Sequence, residues 1–186
     1  MEAGPHQVYD ARTIALHWAV AVLVTAMWML GQGIDWFPKG APRMQARSVH
    51  ILAGVVLALL LVVRVVWRLH GGRRLAAASP GWAGRLQVGG HLLLYSLLLC
   101  TVALGLTSAW VRGDSILGLF TIPAFDPNDH ALREEVVDWH GLAANSLLAL
   151  AALHAAFALF HHFVRRDGVL QRMWPASRPA RSSRPQ

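Results

Sequence analysis

Residues 139–163 read WHGLAANSLLALAALHAAFALFHHF, with no Asp, Glu, Lys or Arg but with histidines at 140, 154, 161 and 162. A helix rising 1.5 Å per residue needs about 20 apolar residues to cross the hydrocarbon of a bilayer, and this stretch is long enough. Imidazoles are costly there, so their recurrence asks for a chemical reason. His140 and His154 are fourteen residues apart, which on an α-helix is about 21 Å of rise and nearly four turns. They share one face of one helix at two well separated depths.

Working outward, four blocks answer to spans, roughly Ala19 to Ile34, His50 to Trp67, His91 to Trp110 and His140 to Val164. The first becomes long enough once His17 and Trp18 are included. It reads as a span rather than a signal peptide, because Met1 to Leu16 is too long and mixed for a leader's charged region and Trp28-Met29-Leu30 is no small-residue cleavage site. The chain has 186 residues, 55% hydrophobic and 15% charged, whereas a soluble domain this small would spread charge over every amphipathic element. With no internal repeat, the expected fold class is all-α: one four-helix transmembrane bundle over residues 1–175, followed by a basic, disordered tail over 176–186.

The net charge of +7 suggests nucleic acid until it is mapped. Arg68, Arg73, Arg74 and Arg85 lie between spans two and three, and Arg165, Arg166, Arg172, Arg178, Arg181 and Arg184 follow span four. Asp114, Asp126, Asp129, Glu134, Glu135 and Asp138 lie between spans three and four, against Arg112 and Arg133. Basic loops mark the cytoplasmic side, so both termini are expected inside and the acidic third loop outside. Lys39, Arg43 and Arg47 in the first external loop run mildly against the rule. The arginines find their partner in anionic membrane lipid, and no nucleic acid is called for. Cys100 is a lone cysteine within the third span, which leaves no disulfide framework. In the third loop, Asp114 to Phe120 suits a short interfacial turn, and Asn128 or Asp129 suits the cap of a helix running through Leu132 and Val136 into span four as a lid.

Antiparallel neighbours bring partners to the two levels of span four. The second span descends from outside near His50, level with His140; the first rises from the cytoplasm with His17 level with His154. Two opposed imidazoles at each of two depths suit six-coordinate haem iron, and with no Cys-x-x-Cys-His the haem would be a non-covalent b haem. His17, His50, His140 and His154 are thus the candidate metal ligands. His91 is the alternative inner ligand to His17, or a hydrogen-bonding neighbour of a propionate or another helix. Arg64 either snorkels to the cytoplasmic surface or pairs with a haem propionate. His161 shares the face of His154 and suits a quinone headgroup or a proton path, while His162 reads as interfacial and His6, His70 and His130 as surface residues. Gly54, Gly105 and Gly141 leave room for a macrocycle or a close helix. A metal transporter or di-iron site would instead gather histidines and carboxylates at one depth, and the spans lack Asp and Glu.

The segments Ile14-Ala-Leu-His17-Trp18, Val49-His50 with Gly54, Val63-Arg64 with Arg68, Gly90-His91 with Tyr95, Trp139-His140 with Asn145, and Leu153-His154 running to His161-His162-Phe163, Asp167, Leu170, Met173 and Pro175 resemble the bacterial cytochrome b561 family over nearly the whole chain. The pattern is nearest to the small four-helix member that acts as a superoxide oxidase. The resemblance implies two b haems, one on His17 and His154 and one on His50 and His140. It further implies a bacterial inner-membrane enzyme that oxidises periplasmic superoxide and reduces ubiquinone, with the outer pair His50 and His140 at the catalytic end. The other implied role is a cytochrome b subunit passing electrons between quinone and a docked dehydrogenase, hydrogenase or c-type cytochrome.

Overall fold

The computed structural model describes residues 8–73, 75 and 81–174; the expected tail over 176–186 and His6 lie outside them. Four long helices follow one another, α1 (Ala11–Gly33), α2 (Ala41–His70), α3 (Gly81–Arg112) and α4 (His130–Phe160). All four are long and apolar enough to cross a membrane, and the chain is an all-α, four-helix membrane-spanning bundle. Its outward surface is crowded with exposed Leu, Val, Phe and Trp, which water would penalise and lipid accommodates.

The helices outrun their apolar blocks. His50 lies nine residues into α2, His91 ten into α3 and His140 ten into α4, so none of them sits at a helix end as the blocks suggested. Hydropathy marks where hydrocarbon ends, whereas a nucleated helix continues through polar residues at little cost. Residues 130–138 are such a polar extension. Asp129 caps it, accepting from the Leu132 N–H at 2.8 Å, and the expected lid is the continuous first turns of α4.

Two ends can be distinguished, the terminus end, where α1 begins and α4 finishes, and the opposite hairpin end. At the terminus end Asp10 caps α1 through the Thr13 N–H (2.9 Å) and ties in α2 by accepting from Trp67 Nε1 (3.1 Å) and the Arg73 N–H (3.1 Å). Its partial burial would raise the carboxyl's pKa, but these donors prevail and hold it well below the ordinary carboxylate range. At the hairpin end, the expected interfacial turn is a small antiparallel ribbon, β1 (Ser115–Ile116) with β2 (Phe120–Thr121), pairing Ser115 with Thr121 and Ile116 with Phe120. Leu117 and Gly118 make its tip with φ of 55° and 74°. Ser48, fully buried on α2, latches the ribbon: its Oγ accepts from the Leu117 N–H (2.9 Å) and lies 2.8 and 3.0 Å from the Met44 and Ser115 carbonyls.

α3 packs most extensively on α4 and α1 on α2, while α1 touches α4 much less. The buried core of Val20, Leu57, Leu61, Leu98 and Leu147 falls at mid-depth, between the levels of the two histidine pairs.

Candidate functional site

The bundle brings the expected histidines together in pairs. At the hairpin end the rings of His50 and His140 are 6.1 Å apart between centroids and inclined at 86°. At the terminus end His17 and His154 are 6.4 Å apart and inclined at 71°. With a metal–imidazole nitrogen bond of about 2.0 Å and about 1.1 Å more to the ring centre, two imidazoles on opposite sides of one metal ion have centroids about 6.2 Å apart. Both pairs match that spacing. His91 and His154 are 5.2 Å apart, closer than that spacing. Among the described residues no group of three or more His, Cys, Asp or Glu gathers as a metal cluster.

Hydrogen bonds set the ring tautomers. His140 Nδ1 lies 3.0 Å from the Thr101 carbonyl, which can only accept; the hydrogen is therefore on Nδ1 and Nε2 is free to bind metal. His91 is held the same way by the Gln87 carbonyl at 2.7 Å. His50 Nδ1 is buried without a hydrogen bond of normal geometry, the Met27 carbonyl being the acceptor on its side. His17 differs. Arg64 donates to its Nδ1 at 3.1 Å and to the Tyr95 hydroxyl at 2.8 Å, so Arg64 turns into the bundle rather than snorkelling. Since guanidinium only donates, His17 carries its hydrogen on Nε2 in this contact, and metal binding there requires Arg64 to let go. A cofactor bearing carboxylates offers Arg64 a stronger acceptor.

Glycines make room for the rings. A Cβ on Gly105 would lie 2.9 Å from His140 Cε1, and one on Gly31 would lie 3.2 Å from His50 Cε1. Gly54 instead meets Met27 Cε at 3.4 Å, and Gly141 faces open space. Gly31 was missed in the sequence because its role depends on pairing across helices.

The two ends differ in charge. Near the hairpin-end pair, Arg47 and Arg112 share Asp114 at 3.5 and 3.4 Å. Burial raises the Asp114 carboxyl's pKa above its ordinary value despite both cations. Arg112 is within electrostatic reach of both rings. Arg43 is engaged by Asp35 (3.3 Å) and by the Asp35 and Phe37 carbonyls. At the terminus end, α4 widens into a π-helical segment over His161–Arg165 and turns back through Arg166 in the left-handed region. There His161 Nδ1 meets Asp167 Oδ2 at 2.5 Å, with Arg165 at 3.9 Å. Slight burial would raise the Asp167 carboxyl's pKa, but hydrogen bonds from His161 and the Val169 N–H, with the nearby charges, lower it overall. Gln171 Nε2 lies 3.1 Å from His162 Nδ1, and Trp18 Nε1 donates to the Met173 carbonyl at 2.9 Å, docking the returning chain on α1. His70 and His130 are exposed, as expected.

Residues 8–176 match the family model described as prokaryotic cytochrome b561. The chain belongs to that family. It is 29% identical to cytochrome b561 homolog 1 of Escherichia coli (strain K12), over 90% of this chain and 97% of the relative. It is 28% identical to the probable superoxide oxidase CybB of Yersinia pestis, over 93% and 99%. Cytochrome b562 of Cereibacter sphaeroides is 31% identical, over 89% and 94%. Membership makes this b561 chain a membrane protein of redox, electron-transfer type.

Proposed function

We propose that this b561 protein holds two b haems, one between His50 and His140 and one between His17 and His154, and oxidises superoxide at its hairpin end while reducing ubiquinone in the membrane. The observation that carries the reading is the pair of imidazole spacings, 6.1 and 6.4 Å, at two depths of one bundle. A bound b haem would supply one-electron exchange at a potential set by its histidine ligands and surroundings. The hairpin end faces outside and both termini face the cytoplasm, in keeping with the arginines that flank α2, α3 and α4 at the terminus end.

The chain's own residues divide the work. Arg47 and Arg112 share the single carboxylate of Asp114, so this local group keeps one positive charge that draws an anion toward His50 and His140 within an otherwise acidic end. The buried layer of Val20, Leu57, Leu61, Leu98 and Leu147 excludes water and protons from mid-membrane. Arg64 and His91 flank the terminus-end pair, Arg64 poised to exchange its hold on His17 for a propionate. His161, fixed by Asp167, holds a proton for a quinone arriving at that end. Two superoxide ions give two molecules of oxygen and two electrons; ubiquinone takes both with two protons to become quinol. The similarity to a relative named a probable superoxide oxidase supports superoxide as donor.

A second reading, a cytochrome b subunit with a docked protein donor, draws on the ribbon tip, where Leu119 and Phe120 are 89% and 62% exposed. Stopped-flow mixing of the purified, oxidised protein with superoxide, followed at the reduced b-haem band with and without ubiquinone, separates the two. Fast reduction followed by quinone-dependent reoxidation is expected; haem present but inert to superoxide would reject the oxidase reading in favour of the docked donor.

A further inference from the structure

Three polar side chains sit on the lipid side of the bundle where α1 and α4 diverge. Trp28 Nε1 donates to Asn145 Oδ1 at 2.8 Å, and Gln32 Nε2 donates to the same oxygen at 3.2 Å. Gln32 and Asn145 are both exposed, and α1 packs on α4 far less than on α2, so the cluster can be reached from the surface of the bundle. Gly141, one turn before Asn145, would meet nothing within 4 Å if given a Cβ, so there is open space beside the cluster. Gly31, beside Gln32, abuts the His50 ring. The cluster therefore lies between lipid and the hairpin-end histidine pair.

Tying α1 to α4 would need only one donor and one acceptor. Here two donors converge on one oxygen. The two N–H bonds of Asn145 and the carbonyl oxygen of Gln32 find no partner among the described residues. Hydrocarbon offers none, and unpaired amide groups are costly there. A matching ligand comes from the membrane, carries a carbonyl for the Asn145 N–H, and is flat and apolar enough to lie against the Trp28 indole. Its reduced form would carry a hydroxyl for Gln32 Oε1. Among the described residues the cluster's hydrogen bonds involve no cation, which favours a neutral ligand.

We propose that Trp28, Gln32 and Asn145 form a lipid-accessible binding site for a quinone ring beside the hairpin-end histidine pair, separate from His161 at the other end. The inference rests on the reading that quinone is this protein's membrane-soluble partner, and it adds a second place of contact. Phospholipid ester carbonyls share the acceptor chemistry, and the test separates them.

The full chain with its haems, in phosphatidylcholine nanodiscs, is photolabelled with an azido-ubiquinone analogue and the labelled peptides are mapped by mass spectrometry. Labelling is expected at residues 28–32 and 141–145, competed by excess decylubiquinone. Asn145→Leu and, with less disturbance of packing, Gln32→Leu should each weaken it by about tenfold, as for loss of a hydrogen bond in a low-dielectric site. Label on residues 161–173 is the internal control for folding. Labelling confined to that end would overturn the second site while leaving quinone as partner. Labelling nowhere would overturn both. Labelling at residues 28–32 and 141–145 displaced by added phospholipid but not by decylubiquinone would make it a lipid site and overturn the proposal.

Discussion

Adding one methyl group at Gly105 should cost the protein its hairpin-end haem. The new Cβ would lie 2.9 Å from His140 Cε1 and 3.4 Å from Nδ1, where ordinary contact begins at 3.4 Å. Relief requires the ring to retreat by about 0.5 Å, the tolerance within which a metal site must be held. The ring is not free to retreat, because Nδ1 is held at 3.0 Å by the carbonyl of Thr101, one turn earlier on α3. Overpacking of this kind costs about 1–3 kcal/mol, which as affinity is roughly 5- to 150-fold. Gly31→Ala, at 3.2 Å from His50 Cε1, should do less. Gly54→Ala meets only the flexible end of Met27, and Gly141→Ala meets nothing, so both should keep their haems. The assay is the haem-to-protein ratio of purified variants, with a redox titration to resolve the two components. Gly105→Ala is expected to lose the hairpin-end component and keep the other. Two full haems with unchanged spectra in Gly105→Ala, or a larger loss in Gly141→Ala, would refute the reasoning.

His17→Ala should abolish the terminus-end haem signal and His91→Ala should keep it as a six-coordinate, low-spin spectrum; the reverse would restore His91 as the ligand. Arg64→Gln should lower that haem's midpoint potential by roughly 50–100 mV, the effect of one nearby charge at an effective dielectric of about 20, as read by potentiometric titration, whereas Tyr95→Phe should leave it nearly unchanged. Arg112→Gln should slow the bimolecular reaction with superoxide several-fold and flatten its dependence on ionic strength, measured by stopped flow. Asp10→Ala should cost about 1 kcal/mol through the lost cap. Because the Asp10 carboxyl's pKa is lowered in the folded state, that stability is fully present above the ordinary value of 3.8 and lost as pH falls below it. Thermal unfolding from pH 7 to 3 should therefore show the wild type converging on the variant only in acid.

The bundle was legible because four apolar blocks admit few folds in 186 residues, and the His140 to His154 spacing fixes two depths on one face. Helix ends were not legible, since residues 41–49 and 130–138 are polar yet continue helices already formed. The histidine pairs followed from antiparallel order, but the choice between His17 and His91 did not. Both lie at the same level, and only the packing of α1 and α3 on α4 puts one ring 6.4 Å and the other 5.2 Å from His154. Arg64 shows the same limit: its position fits snorkelling and inward pairing alike, and Tyr95, on another helix, tips it inward. Gly31, the Ser48 latch and the convergence of Trp28 and Gln32 on Asn145 are contacts between segments distant in sequence, which no local pattern encodes.

The asymmetry of the two ends bears on how such a protein would couple its reactions. Oxidising superoxide needs no proton, and the charged groups nearest His50 and His140 are Arg47 and Arg112 with the Asp114 carboxylate they share. Reducing a quinone needs two protons, and the pair proposed to hold and orient one, His161 with Asp167, lies beyond His154 at the other end. Between the levels lies the buried apolar core of Val20, Leu57, Leu61, Leu98 and Leu147. In the proposed reading, electrons enter on one side of the bilayer and protons on the other, so turnover moves charge across the membrane. Protein in sealed liposomes, given superoxide outside and ubiquinone in the bilayer, should build an interior-negative potential visible with a voltage-sensitive dye, and Asp167→Asn should slow it together with quinone reduction. Quinone reduced at full rate with no potential would mean that the protons are drawn from the hairpin side and that the His161–Asp167 pair only shapes the end of α4.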